Sequence, residues 1–119
     1  MTTRVLLIED WEEFVKLARG EARCWWSIEF MDGKAIQTIY CEAPAGVGFV
    51  VFKQKRYLTP EILENLEKMH RVVFSGEKFE DRVYDACRFL YSKFMMDLKA
   101  KGLDAKPGRY FYSLKPVSV

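Results

Sequence analysis

The alternation of apolar and polar residues over 23–56 predicts antiparallel strands built around one tight turn. Asp32-Gly33 separates two runs of apolar and β-prone residues. An Asp-Gly pair at such a place favours a type I′ turn, in which both central residues adopt positive φ. Successive side chains of a strand point to opposite faces of a sheet. Counting outward from the turn therefore assigns Trp26 to one face of the hairpin and Trp25 to the other.

The two faces of this hairpin differ in chemistry. The face of Trp26 is mainly apolar and is the expected core; its cross-strand pairs are Phe30 with Ala35, Ile28 with Gln37, Trp26 with Ile39 and Cys24 with Cys41. The face of Trp25 pairs Glu29 with Ile36, Ser27 with Thr38, Trp25 with Tyr40 and Arg23 with Glu42. When only one face of a sheet is buried in the core, the other face does not require an aromatic pair. Trp25 and Tyr40 therefore need a partner outside this core.

The periodicity of the remaining chain predicts a short helix before the hairpin, and a strand and two longer helices after it. In chain order the elements are a buried strand over 5–8, a helix from Asp10 to Gly20, the hairpin, a strand over 48–55, a helix from Thr59 to Ser75, a helix over 77–101 and a fourth or edge strand over 106–116. We expect a single α+β domain over residues 1–119. Its sheet is a small antiparallel meander of three or four strands, packed with one short N-terminal helix and two longer C-terminal helices.

Composition excludes several classes of protein. Half of the residues are hydrophobic, which excludes a disordered chain. No apolar run approaches the roughly 18 residues of a membrane span, and no signal peptide opens the sequence, so we expect a cytoplasmic protein without membrane contact. Residues 53–119 hold fourteen Lys and Arg against nine Asp and Glu, which is compatible with a basic surface.

Residue patterns of the common catalytic and metal sites are missing. His70 is the single histidine, so the HExxH motif and other sites with two imidazoles are excluded. No phosphate-binding glycine loop, dinucleotide-binding motif or serine-hydrolase motif occurs. The acidic residues are explained by helix N-termini and by i,i+4 pairs with Lys and Arg. We therefore expect no enzyme activity, no metal and no small-molecule cofactor.

The three cysteines lack the CxxC spacing of a zinc site. Cys24 and Cys41 form a directly opposed, non-hydrogen-bonded pair, whose Cα atoms we expect about 4.5 Å apart. The favoured interpretation is two buried free thiols, since free cysteine behaves as a small hydrophobic residue. The alternative is a cross-strand disulfide, which requires an oxidising compartment or the cytosol of a hyperthermophile.

Aromatic and basic residues on neighbouring strands indicate binding of single-stranded nucleic acid. Such strands are held by rings that stack on bases and by Lys or Arg beside the phosphates. Trp25 and Tyr40 share one face of the hairpin, and either Phe49 or Phe52 extends it, depending on which side chain joins that face. The basic run 53–56 lies at the end of the third strand. The structural alternative is that these rings lie under the helices as a second core layer.

Four features of the chain carry a family resemblance. They are the run Arg-Cys-Trp-Trp-Ser-Ile-Glu-Phe over 23–30, the Asp-Gly hairpin, the run Gly-Phe-Val-Val-Phe-Lys-Gln-Lys-Arg-Tyr over 48–57, and the helices that follow. Together these features resemble the archaeal ThermoDBP family and its ThermoDBP-related members. The resemblance implies a homo-oligomeric single-stranded DNA-binding protein of a hyperthermophile, with an apolar cleft edged by basic residues. It also implies the roles of the site residues: base contacts at Trp25, Tyr40 and Phe52, and phosphate contacts at Arg23, Lys53, Lys55 and Arg56. The leucine-zipper extension of some members is not evident, because the chain ends in an aromatic, Pro-containing tail.

The expected function is non-enzymatic, largely sequence-independent binding of single-stranded DNA, with homo-oligomers formed through the long helix or the tail. The sequence does not distinguish DNA from RNA, because discrimination of the 2′-hydroxyl depends on geometry. One alternative is a structural or protein-interaction subunit that uses the aromatic face. A second is a ligand-binding domain or enzyme with an apolar pocket near Cys24, Cys41 or Tyr40.

Overall fold

The computed structural model describes residues 4–46 and 48–108. The elements within these ranges are β1 (Arg4–Ile8), α1 (Trp11–Leu17), β2 (Glu21–Met31), β3 (Lys34–Ala45), β4 (Gly48–Leu58), α2 (Pro60–His70), α3 (Phe79–Ala100) and β5 (Asp104–Pro107). The strands form one sheet in the order β1-β4-β3-β2-β5. β2, β3 and β4 are the predicted antiparallel meander, whereas β1 runs parallel to β4 and β5 runs parallel to β2.

The α+β class is confirmed, but the three- or four-stranded antiparallel sheet is only partly matched, because the sheet has five strands and is mixed. The interpretation of residues 5–8 as a buried strand is wrong. β1 lies at an edge of the sheet, where Val5, Leu6 and Leu7 are exposed and Ile8 alone is buried. An apolar run shows that a segment avoids water, but it does not show which strand will become its neighbour. The predicted tail strand begins as β5, and its residues 109–116 lie outside the described ranges.

The register of the β2–β3 hairpin is confirmed at every pair from Arg23 with Glu42 to Met31 with Lys34. The predicted turn type is wrong. Gly33 has a φ of 69°, but Asp32 is not among the residues with positive φ. A single left-handed residue at the second central position is what a type II turn requires, and only the glycine meets that requirement without strain.

Side-chain capping explains where α1 and α2 begin. The side chain of Asp10 accepts a hydrogen bond from the Glu13 amide at 3.0 Å, which caps α1. The Thr59 hydroxyl oxygen accepts one from the Ile62 amide at 3.2 Å, and Pro60 follows at the first helical position of α2. α3 matches the predicted long helix within two residues at either end. Within the described ranges, no helix is both long and apolar enough to cross a membrane.

All three helices pack on one side of the sheet, which we call the helix face. Two clusters of buried residues fill the space between helices and strands. The first lies under α1 and the end of α3, around Phe14, Phe52 and Leu98. The second lies under α2 and the start of α3, around Leu58 and Val83. Neither cluster includes a side chain from the opposite side of β2, β3 and β4, which we call the helix-free face.

Cys24 and Cys41 form a disulfide across β2 and β3, with Cα atoms 4.0 Å apart. The favoured interpretation of two free thiols is therefore wrong, although the predicted pairing of the two residues is confirmed. Cys87 remains a buried free thiol. Burial raises the pKa of Cys87 to about 12, although the nearby Arg88 charge lowers it. This thiol is therefore protonated at neutral pH and is a poor nucleophile.

Candidate nucleic-acid interface

The helix-free face places side chains from alternate positions of the central strands next to one another. Its members on β2 are Glu21, Arg23, Trp25, Ser27, Glu29 and Met31, on β3 are Lys34, Ile36, Thr38, Tyr40, Glu42 and Pro44, and on β4 are Phe49, Val51, Lys53, Lys55 and Tyr57. Each cross-strand row follows from the register. One row contains Trp25, Tyr40 and Lys53, and the next contains Ser27, Thr38 and Lys55. Five of the seven predicted site residues therefore share this face.

Trp25 and Tyr40 form a stacked pair at the centre of the face. Their ring centroids are 5.3 Å apart, with an angle of 18° between the rings. Each residue is only 5% exposed, and burial raises the pKa of the Tyr40 hydroxyl. Gly108, which follows β5, lies so close to the Trp25 ring that a Cβ there would be 2.7 Å from Cε3. The two rings are thus packed within the structure. They are buried, whereas the sequence had suggested rings exposed for contact with bases.

A group of lysines and tyrosines lies along β4 and the adjacent strand β3. We call this set the Tyr–Lys strip; it consists of Lys34, Tyr40, Lys53, Lys55 and Tyr57. The Lys53 ammonium lies 5.8 Å from the centroid of the Tyr40 ring, and the Lys34 ammonium lies 5.3 Å from that of Tyr57. Tyr57 is 55% exposed. An exposed ring can stack on an aromatic base, and a lysine ammonium beside it can attract a phosphate.

Arg23 lies on the same face but has a local partner. Its guanidinium forms an ion pair with Glu21 at 2.6 Å, and Lys106 of β5 lies 3.4 Å from the same carboxylate. Lys106 also lies 3.6 Å from Asp104. The charges on the β2–β5 side of the face are therefore largely paired. None of the ion pairs found among the described residues involves Lys34, Lys53 or Lys55, although Glu9 lines the same surface groove as Lys53 and Lys55.

Phe52 and Arg56 are not brought to this face. Both occupy even-numbered positions of β4, which point to the helix face. Phe52 is fully buried, and its ring contacts those of Trp11, Phe14 and Phe94. The site implied by the resemblance therefore divides between the two faces, because adjacent residues of a strand point in opposite directions.

Tyr57 and Lys34 were not among the predicted site residues, and the structure places both on the helix-free face. The signal for Tyr57 was available, since it continues the alternation of Lys53 and Lys55. It was missed because the strand was predicted to end at residue 55, whereas β4 extends to Leu58. The structure also resolves the choice between Phe49 and Phe52, as Phe49 joins this face and is 43% exposed.

Among the described residues, no group of three or more His, Cys, Asp or Glu side chains is placed to hold a metal ion. No protein-family model, curated protein or solved structure matches this chain.

Proposed function

We propose that this protein binds single-stranded DNA along the Tyr–Lys strip, without catalysis and largely without regard to base sequence. The observation that supports this proposal best is the exposed Tyr57 ring with Lys34 at 5.3 Å, on a face where the described helices do not pack. Lys53 and Lys55 continue the cationic surface along the same strand.

The proposed mechanism combines stacking with charge. A base stacks on Tyr57, a contact worth about 1–3 kcal/mol that tolerates every base because each has a π-face. The ammonium groups of Lys34, Lys53 and Lys55 attract the phosphates and release counterions, so the affinity falls as salt is added. The buried stack of Trp25 on Tyr40 keeps the surface beneath the nucleic acid rigid. Arg23 lies at the margin of this surface, because Glu21 already neutralises its charge.

This proposal keeps the ThermoDBP-like assignment, with its archaeal and hyperthermophilic origin, its cytoplasmic location and its homo-oligomeric state, as part of the same hypothesis. It changes the site. Tyr57 and Lys34 replace Phe52 and Arg56, because those two side chains lie on the helix face. RNA remains a competing ligand in the test below.

Titration of a fluorescein-labelled oligo-dT strand, followed by fluorescence anisotropy at two or more salt concentrations, tests the proposal. Tyr57→Ala should weaken binding by about 5- to 150-fold, which is the loss of one stacked base. Lys55→Gln should weaken it and reduce the slope of log K against log salt by about 0.7, the value for one phosphate contact to a single strand. An oligo-U strand in the same assay measures the preference between DNA and RNA.

Lys68→Gln is the matched control, because Lys68 is exposed on α2 and lies away from the helix-free face. This variant should bind with the affinity and salt slope of the wild type. Absence of binding at micromolar strand would contradict the function. Binding that persists unchanged in Tyr57→Ala and Lys55→Gln would preserve the function but refute the site.

A second candidate function is that of a protein-interaction subunit, which the exposed edge strand β1 favours. Val5 and Leu7 on the helix-free face and Leu6 on the helix face are all more than half exposed. An unpaired, apolar strand edge is a template for pairing with another chain. Sedimentation of the wild type and of Leu7→Lys tests this candidate: a dimer that dissociates in the variant supports it, and a monomeric wild type contradicts it for self-association.

A further inference from the structure

A cleft opens on the helix face among α1, α2 and α3, and it lies away from the Tyr–Lys strip. Its volume is about 390 Å³, within the range of small-molecule sites. Much of its lining is apolar and comes from three helices, with Trp11 from α1, Leu66 from α2 and Phe94 from α3. β4 contributes a single lining residue, Arg56.

Arg56 is the unusual member of this lining. Its Nε–H group is sealed from solvent and has no hydrogen-bond partner among the described residues. None of the ion pairs found in residues 4–46 and 48–108 involves its guanidinium. A buried donor without an acceptor is costly, and a charged one more so. The charge of Arg56 therefore has no carboxylate partner among the described residues, so an anionic ligand in the cleft meets a guanidinium that is not already neutralised.

The other charged groups of the cleft favour a negative ligand. Lys93 lies at its rim, with the ammonium 5.3 Å from the centroid of the Phe89 ring. Among the described residues of the lining, Asp97 alone carries a carboxylate, and its oxygens already have hydrogen-bond partners. Its oxygens accept hydrogen bonds from Trp11 Nε1 at 2.7 Å and from the Lys101 ammonium at 3.0 Å. Its negative charge is therefore largely compensated.

We infer that this cleft binds a small amphipathic carboxylate, with its apolar or aromatic part against Trp11, Leu66 and Phe94 and its carboxylate on Arg56. A guanidinium binds a planar carboxylate through two parallel N–H donors, and Arg56 lines the cleft where such a ligand would lie. Apolar walls with one convergent cation are the usual arrangement of a site for this class of ligand. This inference does not depend on nucleic-acid binding.

Isothermal calorimetry with 3-phenylpropionate and its neutral amide tests the inference. The carboxylate should bind at least about tenfold more tightly than the amide, since it alone offers two charged acceptors. Arg56→Gln should abolish this preference. Lys55→Gln, a change at the neighbouring residue on the opposite face, should leave it intact. Equal binding of acid and amide, or no binding of either at millimolar concentration, overturns the inference.

The position of the bound ligand is determined from the NMR resonances of the indole N–H groups of the three tryptophans. Binding in the cleft should shift the resonance of Trp11 and leave those of Trp25 and Trp26 in place.

Met69→Glu adds a carboxylate at the rim, where Met69 is 71% exposed and the change is compatible with folding. This variant should weaken binding of the acid more than that of the amide; an unchanged preference would overturn the inference. Oligo-dT binding is expected to survive Arg56→Gln and to weaken in Lys55→Gln, so failure of one proposal is distinguishable from failure of the other.

Discussion

Reduction of the disulfide between Cys24 and Cys41 is expected to lower the free energy of unfolding by about 3 kcal/mol. The bond joins positions 17 residues apart. Closing a loop of that length removes about 10 cal/mol/K of entropy from the unfolded chain, which amounts to about 3 kcal/mol at 25 °C. For a chain of 119 residues the entropy of unfolding near 60 °C is about 250 cal/mol/K, so the melting temperature should fall by about 12 °C.

Urea unfolding of the wild type with and without reductant measures this effect on a single sequence, so no cavity is created. The slope of the unfolding free energy against urea should also rise on reduction, because an unlinked chain exposes more surface when it unfolds. The double variant Cys24→Ala/Cys41→Ala is the control and should not respond to reductant. Because the loss arises in the unfolded state, the reduced, folded protein should keep its affinity for oligo-dT. Coincident urea midpoints for the oxidised and reduced wild type would refute this reasoning.

Three further predictions concern single side chains. Phe52→Ala should lower the free energy of unfolding by about 3–5 kcal/mol in a urea titration, since Phe52 is fully buried among aromatic rings, while the folded fraction should bind oligo-dT as before. Trp11→Phe removes the hydrogen bond that is the main cause of the lowered pKa of Asp97, so this pKa should rise in an NMR titration of the carboxyl group. Asp97 stabilises the folded protein fully at pH values above the pKa of this carboxyl in the unfolded chain, and this stabilisation is lost as the pH falls through the lower pKa of the folded state. The difference in unfolding free energy between wild type and Trp11→Phe should therefore shrink toward acid pH. Cys87, protonated and buried, should resist a thiol reagent in the native protein and react once the chain unfolds; rapid native labelling would contradict this.

Local chemistry determined much of the secondary structure. Asp32-Gly33 set the register of β2 on β3, and every pair that followed from it is present. Thr59 and Pro60 marked the start of α2, because a capping hydroxyl and a proline satisfy the first turn without long-range help. The same local rules placed Trp25 and Tyr40 opposite each other on one face and Trp26 on the other. These features depend on residues close together along the chain or on strict alternation, so they could be obtained by counting.

Only the tertiary structure decided which elements became neighbours and which side chains met. The parallel pairing of β1 with β4 joins segments more than forty positions apart, and nothing in the pattern of either strand specifies its partner. The disulfide was likewise found only in the structure, because the sequence predicts that Cys24 lies opposite Cys41 but not that the two thiols are oxidised. Alternation along β4 by itself puts Phe52 and Arg56 on the face opposite Lys53, Lys55 and Tyr57. Only the tertiary structure decided that the helices cover the face of Phe52 and Arg56, and that Arg56 lines a cleft formed by three helices.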